Sequence, residues 1–205
     1  MDQWLTPPEI ERKIVALVAS TRQTYNIPSD CMGVEASKRI GLQVQLGSLP
    51  LGTDGLLVNE CTIVINKELS WQPRIEFTIF HEIVHFLLNE DGDLIEFFTD
   101  TLRNDDVAYK AAIERCCHQG AAEFLLPQMR VREAIVSEAF SVHLLEKLAT
   151  GMAHRLSQRP FNLLFAPPST VMLPCVASDQ YCEQRRPGWD CKLSMRRCHG
   201  EENIR

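Results

Sequence analysis

The sequence predicts a mainly helical domain with three short strands, followed by a proline-rich linker and a cysteine-bearing tail. Three observations lead there. Apolar residues recur at helical period from Pro7 and again, over most of the chain, from Pro73. Between them, three strand-like pieces are separated by Gly, Pro and Asp turns. Beyond the second helical block, "RPFNLLFAPPSTVMLP" holds too many prolines to continue any helix.

Taken in order, "TPPEIERKIVALVAS" starts a helix with Thr6 as N-cap, Pro7 at the first helical position and Glu9 closing a capping box. Ile10, Ile14, Leu17 and Val18 then mark its apolar face. "PSDCMGVEASKRIG" reads as a short second helix stopped by Gly41 at C′. Strand pieces follow at 42–46, 55–58 and 61–66, the last two forming a hairpin across Asn59-Glu60. Helices are expected at 74–89, 106–126, 128–139 and 142–157, with 90–105 an acidic connector that has room for a short helical turn. Domain boundaries fall at 1–160 for the main domain, 161–174 for the linker and 175–205 for the tail.

Composition narrows the function classes. Hydrophobic residues make up 45% and charged residues 23% of 205 residues, enough apolar material for a packed core. A net charge of −6 argues against a general nucleic-acid binder, and no direct nucleic-acid binding is expected. The start "MDQWLTPPEIERK" has no basic segment followed by an apolar run, and no apolar stretch reaches the roughly 20 residues that span a bilayer. A cytoplasmic protein without a membrane partner is the expectation.

"FTIFHEIVHFLLNEDGD" carries the chemistry. Thr78, His81, Glu82, His85 and Asn89 sit at i, i+3, i+4, i+7 and i+11, one narrow polar stripe on an otherwise apolar helix. Such a helix is buried, so its stripe must face something polar. Imidazoles four apart bring their nitrogens near one point and can share a metal ion; the intervening Glu82 is placed to take a proton from water. Two satisfied core histidines beside an accidental glutamate is the plainer alternative.

A catalytic zinc usually has three protein ligands and an open position. The helix "YKAAIERCCHQGAAEFLLP" offers Glu114, Cys117, His118 and Glu123. Glu114 and Glu123 are nine residues apart and point in opposite directions, so only one can face the metal. Glu114 shares a small, apolar strip with Cys117, His118, Ala121 and Leu125, whereas Glu123 lies with Arg115 and Gln119 on a solvated or interfacial face. Glu114 is favoured, with Cys117 and His118 as rivals on the same face.

"GLLVNECTIVINKELSWQPRIEFTIFHEIVHFLL" followed by "ERCCHQGAAEFLLP" resembles the ImmA/IrrE family of small zinc metallopeptidases. The similarity runs over about residues 5–160 and is densest around the histidines. It implies an α+β, zincin-like fold with a small twisted three-stranded sheet. It further implies Zn2+ held by His81, His85 and Glu114, with Glu82 as general base. Val84 stands where the family usually has glycine, and Cys117, His118 and Gly120 where Ala, Asn or Asp, and Phe are usual. His118, one turn beyond Glu114, is placed either to support a ligand or to bind metal itself.

The resemblance implies a protein substrate, such as a helix-turn-helix repressor in a stress or mobile-element response. A regulatory binding module with a structural zinc is the alternative from another class, and a fourth protein ligand from Cys117 or His118 would favour it. His118, Tyr109 and His143 are candidate donors to a developing oxyanion. Strand 55–58 or 61–66 is the candidate edge for aligning an extended substrate.

In the tail, Cys175, Cys182, Cys191 and Cys198 are spaced seven, nine and seven apart, with "RRPG" as a turn midway. Spacings of seven put two sulfurs on one helical stripe, so a helical hairpin over 174–200 would bring Cys175 near Cys198 and Cys182 near Cys191. Free thiols, two nested disulfides and a four-cysteine zinc site all satisfy that arrangement. Cys31, Cys61, Cys116 and Cys117 read as packing residues, the metal question at Cys117 aside.

Overall fold

The computed structural model describes residues 7–59, 61–138, 141–144 and 146–148. The Thr6 cap, most of the expected helix at 142–157, the linker and the cysteine tail lie outside the described residues. Residues 142–144 and 146–148 are helical. Among the described residues the elements follow in the order α1 (Pro7–Thr24), α2 (Gly33–Ile40), β1 (Gln43–Gly47), β2 (Gly55–Val58), β3 (Thr62–Asn66), α3 (Gln72–Glu90), α4 (Gly92–Thr101), α5 (Asp106–Leu125) and α6 (Gln128–Ser137). This is a mainly helical α+β domain with a small mixed sheet. None of the described helices is long and apolar enough to cross a membrane.

The local signals mostly hold. Ile14 and Val18 of α1 are buried and Ile10 and Leu17 pack against the core. Gly41 ends α2 at φ 96°; its N–H bonds the Lys38 carbonyl and the Leu42 N–H bonds that of Ser37, the paired bonds of a Schellman stop. The start of α2 has no side-chain cap of its own. Instead the Glu76 carboxylate, fully buried on α3, accepts the Gly33 N–H at 2.6 Å and the Gln72 amide at 3.2 Å, so a neighbouring helix caps it.

The sheet order is β1-β3-β2, with β1 parallel and β2 antiparallel to β3. Strand β3 is therefore central, and its Ile63, Val64 and Ile65 are all buried. That removes 61–66 as a substrate-aligning edge: both sides of β3 are already paired, and among the described residues only β2 of the two candidates has a side that no strand pairs. Val58 pairs with Thr62, so the hairpin loop is three residues, 59–61, and Asn59 turns through φ 52°.

The acidic connector is a helix in its own right. Asp91 caps α4 by accepting the Leu94 N–H at 3.1 Å, and Leu94 and Phe98, one turn apart, are buried. Its high acidic content concealed the i, i+4 apolar pair. Helix α3 lies at the centre, packing against α5, α2, α4, β2 and β3. Ile75, Ile79, Phe80, Ile83, Val84 and Leu88 supply the buried surface, and the Phe80 ring stacks on Phe124 of α5 at 5.0 Å.

Candidate metal centre

The polar stripe of α3 faces α5 and β2. His81 Nε2 and His85 Nε2 are 3.1 Å apart. Glu114 of α5 points one carboxylate oxygen at each: Oε2 lies 3.2 Å from His81 Nε2 and Oε1 lies 3.4 Å from His85 Nε2. Three donors around one tetrahedral ion at 2.0–2.1 Å would be separated by about 3.3–3.4 Å. The three observed separations are close to that size, with Glu114 offering a different oxygen to each imidazole, and a donor set of two imidazoles and a carboxylate suits zinc.

Glu123, the other carboxylate weighed for this position, is elsewhere. It is buried at the end of α5, where Oε2 accepts the Gln128 N–H at 3.0 Å and so caps α6, within the field of Arg22. The interfacial half of its sequence description holds and the solvated half does not. Glu114, by contrast, reaches the histidines from a half-exposed position, its side chain 52% accessible. The strip it shares with Cys117 and Ala121 is buried only beyond its first turn.

Electrostatics follow the geometry. Hydrogen bonds to His81 and His85 pull the Glu114 pKa far below the ordinary carboxylate range. Burial works to lower the pKa of His85, but its hydrogen bond to Glu114 and the charges of Glu82 and Glu114 outweigh burial and raise it. Glu82 is 7% exposed, and burial raises its pKa against the opposing pull of His85 and His81. Burial and the nearby Glu114 and Glu82 hold the Cys117 thiol protonated.

The rivals can now be placed. Cys117 is fully buried, with Sγ within 4.8 Å of ligand nitrogens on both His81 and His85. His118 is exposed; its Nδ1–H donates to the Glu114 carbonyl at 2.7 Å, which leaves Nε2 as an acceptor, and its ring centroid is 4.8 Å from that of His81. His118, Glu114 and His81 form a second group of donors within 4.8 Å. The Nδ1 of His81 is buried with no hydrogen-bond partner among the described residues. Tyr109 packs half-buried against the core, and His143 lies in the field of Glu138, so of the three oxyanion candidates His118 is the one beside the histidines.

Strand β2 contributes two groups that sequence reasoning missed. The Leu57 backbone N–H hydrogen-bonds the Glu82 carboxylate. A Cβ added at Gly55 would stand 2.5 Å from Thr78 Cγ2 and 3.3 Å from Glu82 Cγ and Oε1, so the strand reaches the stripe only because residue 55 has no side chain. An isolated glycine opening a strand was the available signal.

Comparison with known proteins agrees with the geometry. The pattern that defines the IrrE N-terminal-like domain of the peptidase M78 family matches residues 38–150. The radiation response metalloprotease IrrE of Deinococcus radiodurans is 30% identical over 93 residues, which cover 45% of this chain and 28% of that protein's length. The matched span holds β1 to β3, the histidine helix and the whole of α5, the elements that build the centre. This chain belongs to the IrrE N-terminal-like family of metallopeptidases, M78.

Proposed function

We propose that the protein is a zinc-dependent endopeptidase in which His81, His85 and Glu114 hold the metal and Glu82 is the general base. The single observation that carries this reading is the convergence of His81 Nε2 and His85 Nε2, 3.1 Å apart, on the Glu114 carboxylate, whose two oxygens lie 3.2 and 3.4 Å from them, across two separate helices. Zinc bound there supplies Lewis acidity, polarising a peptide carbonyl and acidifying water. Glu82, one residue from His81 on the same stripe, accepts the proton of the attacking water and returns it to the leaving amine. Its burial makes it a stronger base than an exposed glutamate, which suits that task near neutral pH. His118 stands exposed beside His81, and with its Nδ1–H held by the Glu114 carbonyl it would donate to the developing oxyanion from Nε2 only as the imidazolium.

The open side of β2 aligns an extended segment of a protein substrate by backbone pairing. By family analogy that substrate is a helix-turn-helix transcriptional repressor in a stress or mobile-element response. The relative's name, a radiation response metalloprotease, supports the stress context.

Metal analysis of the purified wild type should give about one zinc per chain. Glu82→Gln should keep that zinc and abolish cleavage of a co-expressed repressor, because it removes the base and spares the ligands. Full cleavage by this variant would refute the mechanism. A second reading, a regulatory module with a closed structural zinc, has the Cys117 thiol beneath the two imidazoles in its favour. Cobalt substitution separates the two: a thiolate charge-transfer band lost in Cys117→Ser would mean a closed centre.

A further inference from the structure

The two β2 groups beside Glu82 have a consequence for how substrate meets the base. The Asn66 N–H bonds the Asp54 carbonyl at 2.8 Å, which makes Asp54 and Asn66 a hydrogen-bonded pair just before β2. Antiparallel pairs alternate, so in the observed register Leu56–Val64 and Val58–Thr62 are the next bonded pairs. The N–H and C=O groups of Gly55 and Leu57 therefore point away from β3, along the side of β2 that no described strand pairs. That is the row of groups an added strand would use. One of those donors, the Leu57 N–H, is held by the Glu82 carboxylate.

The contact depends on a close approach. Strand β2 sits on the stripe through Gly55, whose missing Cβ would fall 2.5 Å from Thr78 Cγ2. The Arg74–Asp54 ion pair at 2.6 Å and the Asn66 side-chain amide on the Thr53 carbonyl at 3.0 Å fix the strand's entry over α3. Thr78 is itself held, its hydroxyl donating to the Arg74 carbonyl at 2.8 Å.

We infer that the Leu57 amide is a latch for the general base: at rest it holds Glu82, and an extended peptide pairing with β2 takes that amide with its own carbonyl and frees the carboxylate. Gly55 and Thr78 are the positioning residues that set the strand at latching distance. This rests on the endopeptidase reading. It adds that productive binding must place a peptide carbonyl opposite Leu57, so backbone pairing and release of the base occur together.

The test uses the full chain loaded with zinc, with amide exchange read residue by residue by NMR. Glu82→Ala should speed exchange at Leu57 by about tenfold, the value of one lost hydrogen bond, and leave Leu56 unchanged. Gly55→Ala should produce the same local loss with the zinc content intact, and adding Thr78→Ser should restore protection by removing Cγ2 while keeping the hydroxyl. A general structural defect in Gly55→Ala would expose Leu56 and Val58 as well and would not be reversed by losing one methyl group. Acetyl-Ala-Leu-Phe hydroxamate, added to Glu82→Ala, should restore protection at Leu57 as the peptide takes over the amide. An unchanged Leu57 in Glu82→Ala would overturn the latch, as would bound hydroxamate that leaves Leu57 unprotected. Absence of zinc from wild type, or failure of the hydroxamate to bind it, would instead overturn the endopeptidase reading.

Discussion

Gly120 of α5 and Val84 of α3 meet where the helices carrying Glu114 and the two histidines pack, and substituting one should have an effect whose sign depends on the other. A Cβ at residue 120 would lie 2.7 Å from Val84 Cγ2, 2.9 Å from Val84 Cγ1 and 3.4 Å from Ile14 Cγ2. Val84 and Ile14 are fully buried, so the helices must separate by roughly 1 Å to recover ordinary carbon contact. Overpacking of this kind costs about 1–3 kcal/mol, while replacing a helical glycine by alanine contributes about 1 kcal/mol of stability. Gly120→Ala alone should therefore destabilise by about 0–2 kcal/mol. In a Val84→Ala background both clashing methyl groups are gone, so the same change should stabilise by about 1 kcal/mol. Urea unfolding of the four proteins gives the coupling directly, expected at about 1–3 kcal/mol. An identical effect of Gly120→Ala in both backgrounds would refute the packing argument. Because His85 follows Val84 and Glu114 lies on α5, zinc affinity should fall in Gly120→Ala and recover in the double variant.

Further outcomes are expected at Glu114, Glu123, Cys117 and Glu76. Glu114→Ala should weaken zinc binding by about 100-fold or more; Glu123→Ala should keep the zinc and cost about 1 kcal/mol of stability by removing the α6 cap; metal analysis and urea unfolding decide both. Cys117→Ser should retain zinc stoichiometry, since the imidazole–carboxylate triangle does not need the thiol; loss of zinc would move Cys117 into the coordination sphere. Glu76 is buried and its pKa is raised, mainly by burial, so the folded state holds its proton more tightly than the unfolded chain. Its contribution is therefore best below the unfolded carboxylate pKa and declines as pH rises through the raised folded value. Unfolding at about pH 5 and about pH 8 should show Glu76→Gln gaining stability relative to wild type at the higher pH. Glu76→Ala, which strands the Gly33 N–H and the Gln72 amide, should lose about 1–3 kcal/mol at both.

Much of this protein is legible one segment at a time because the signals are local. An apolar-faced helix, a glycine stop at Gly41 and the 3.6-residue period that aligns His81, Glu82 and His85 all depend on neighbours within two turns. The nine-residue separation of Glu114 and Glu123 even decides, by angle alone, that only one can join them. Local pattern failed where composition and apolar content disagreed, as in α4, where acidic residues outweighed the Leu94–Phe98 pair. Other facts depend on what lies across the chain. Strand order decides that β2 rather than β3 has an open side, and no feature within 61–66 encodes its having two partners. The room that Gly120 gives Val84 makes two departures from the family pattern into one complementary contact, visible only where α3 and α5 cross. The capping of α2 by Glu76 and of Glu82 by the Leu57 amide are likewise bonds between segments distant in sequence. Hydrogen bonds and close contacts of a few ångströms depend on packing angles set by the whole core, and those angles have no counterpart in any local run of residues.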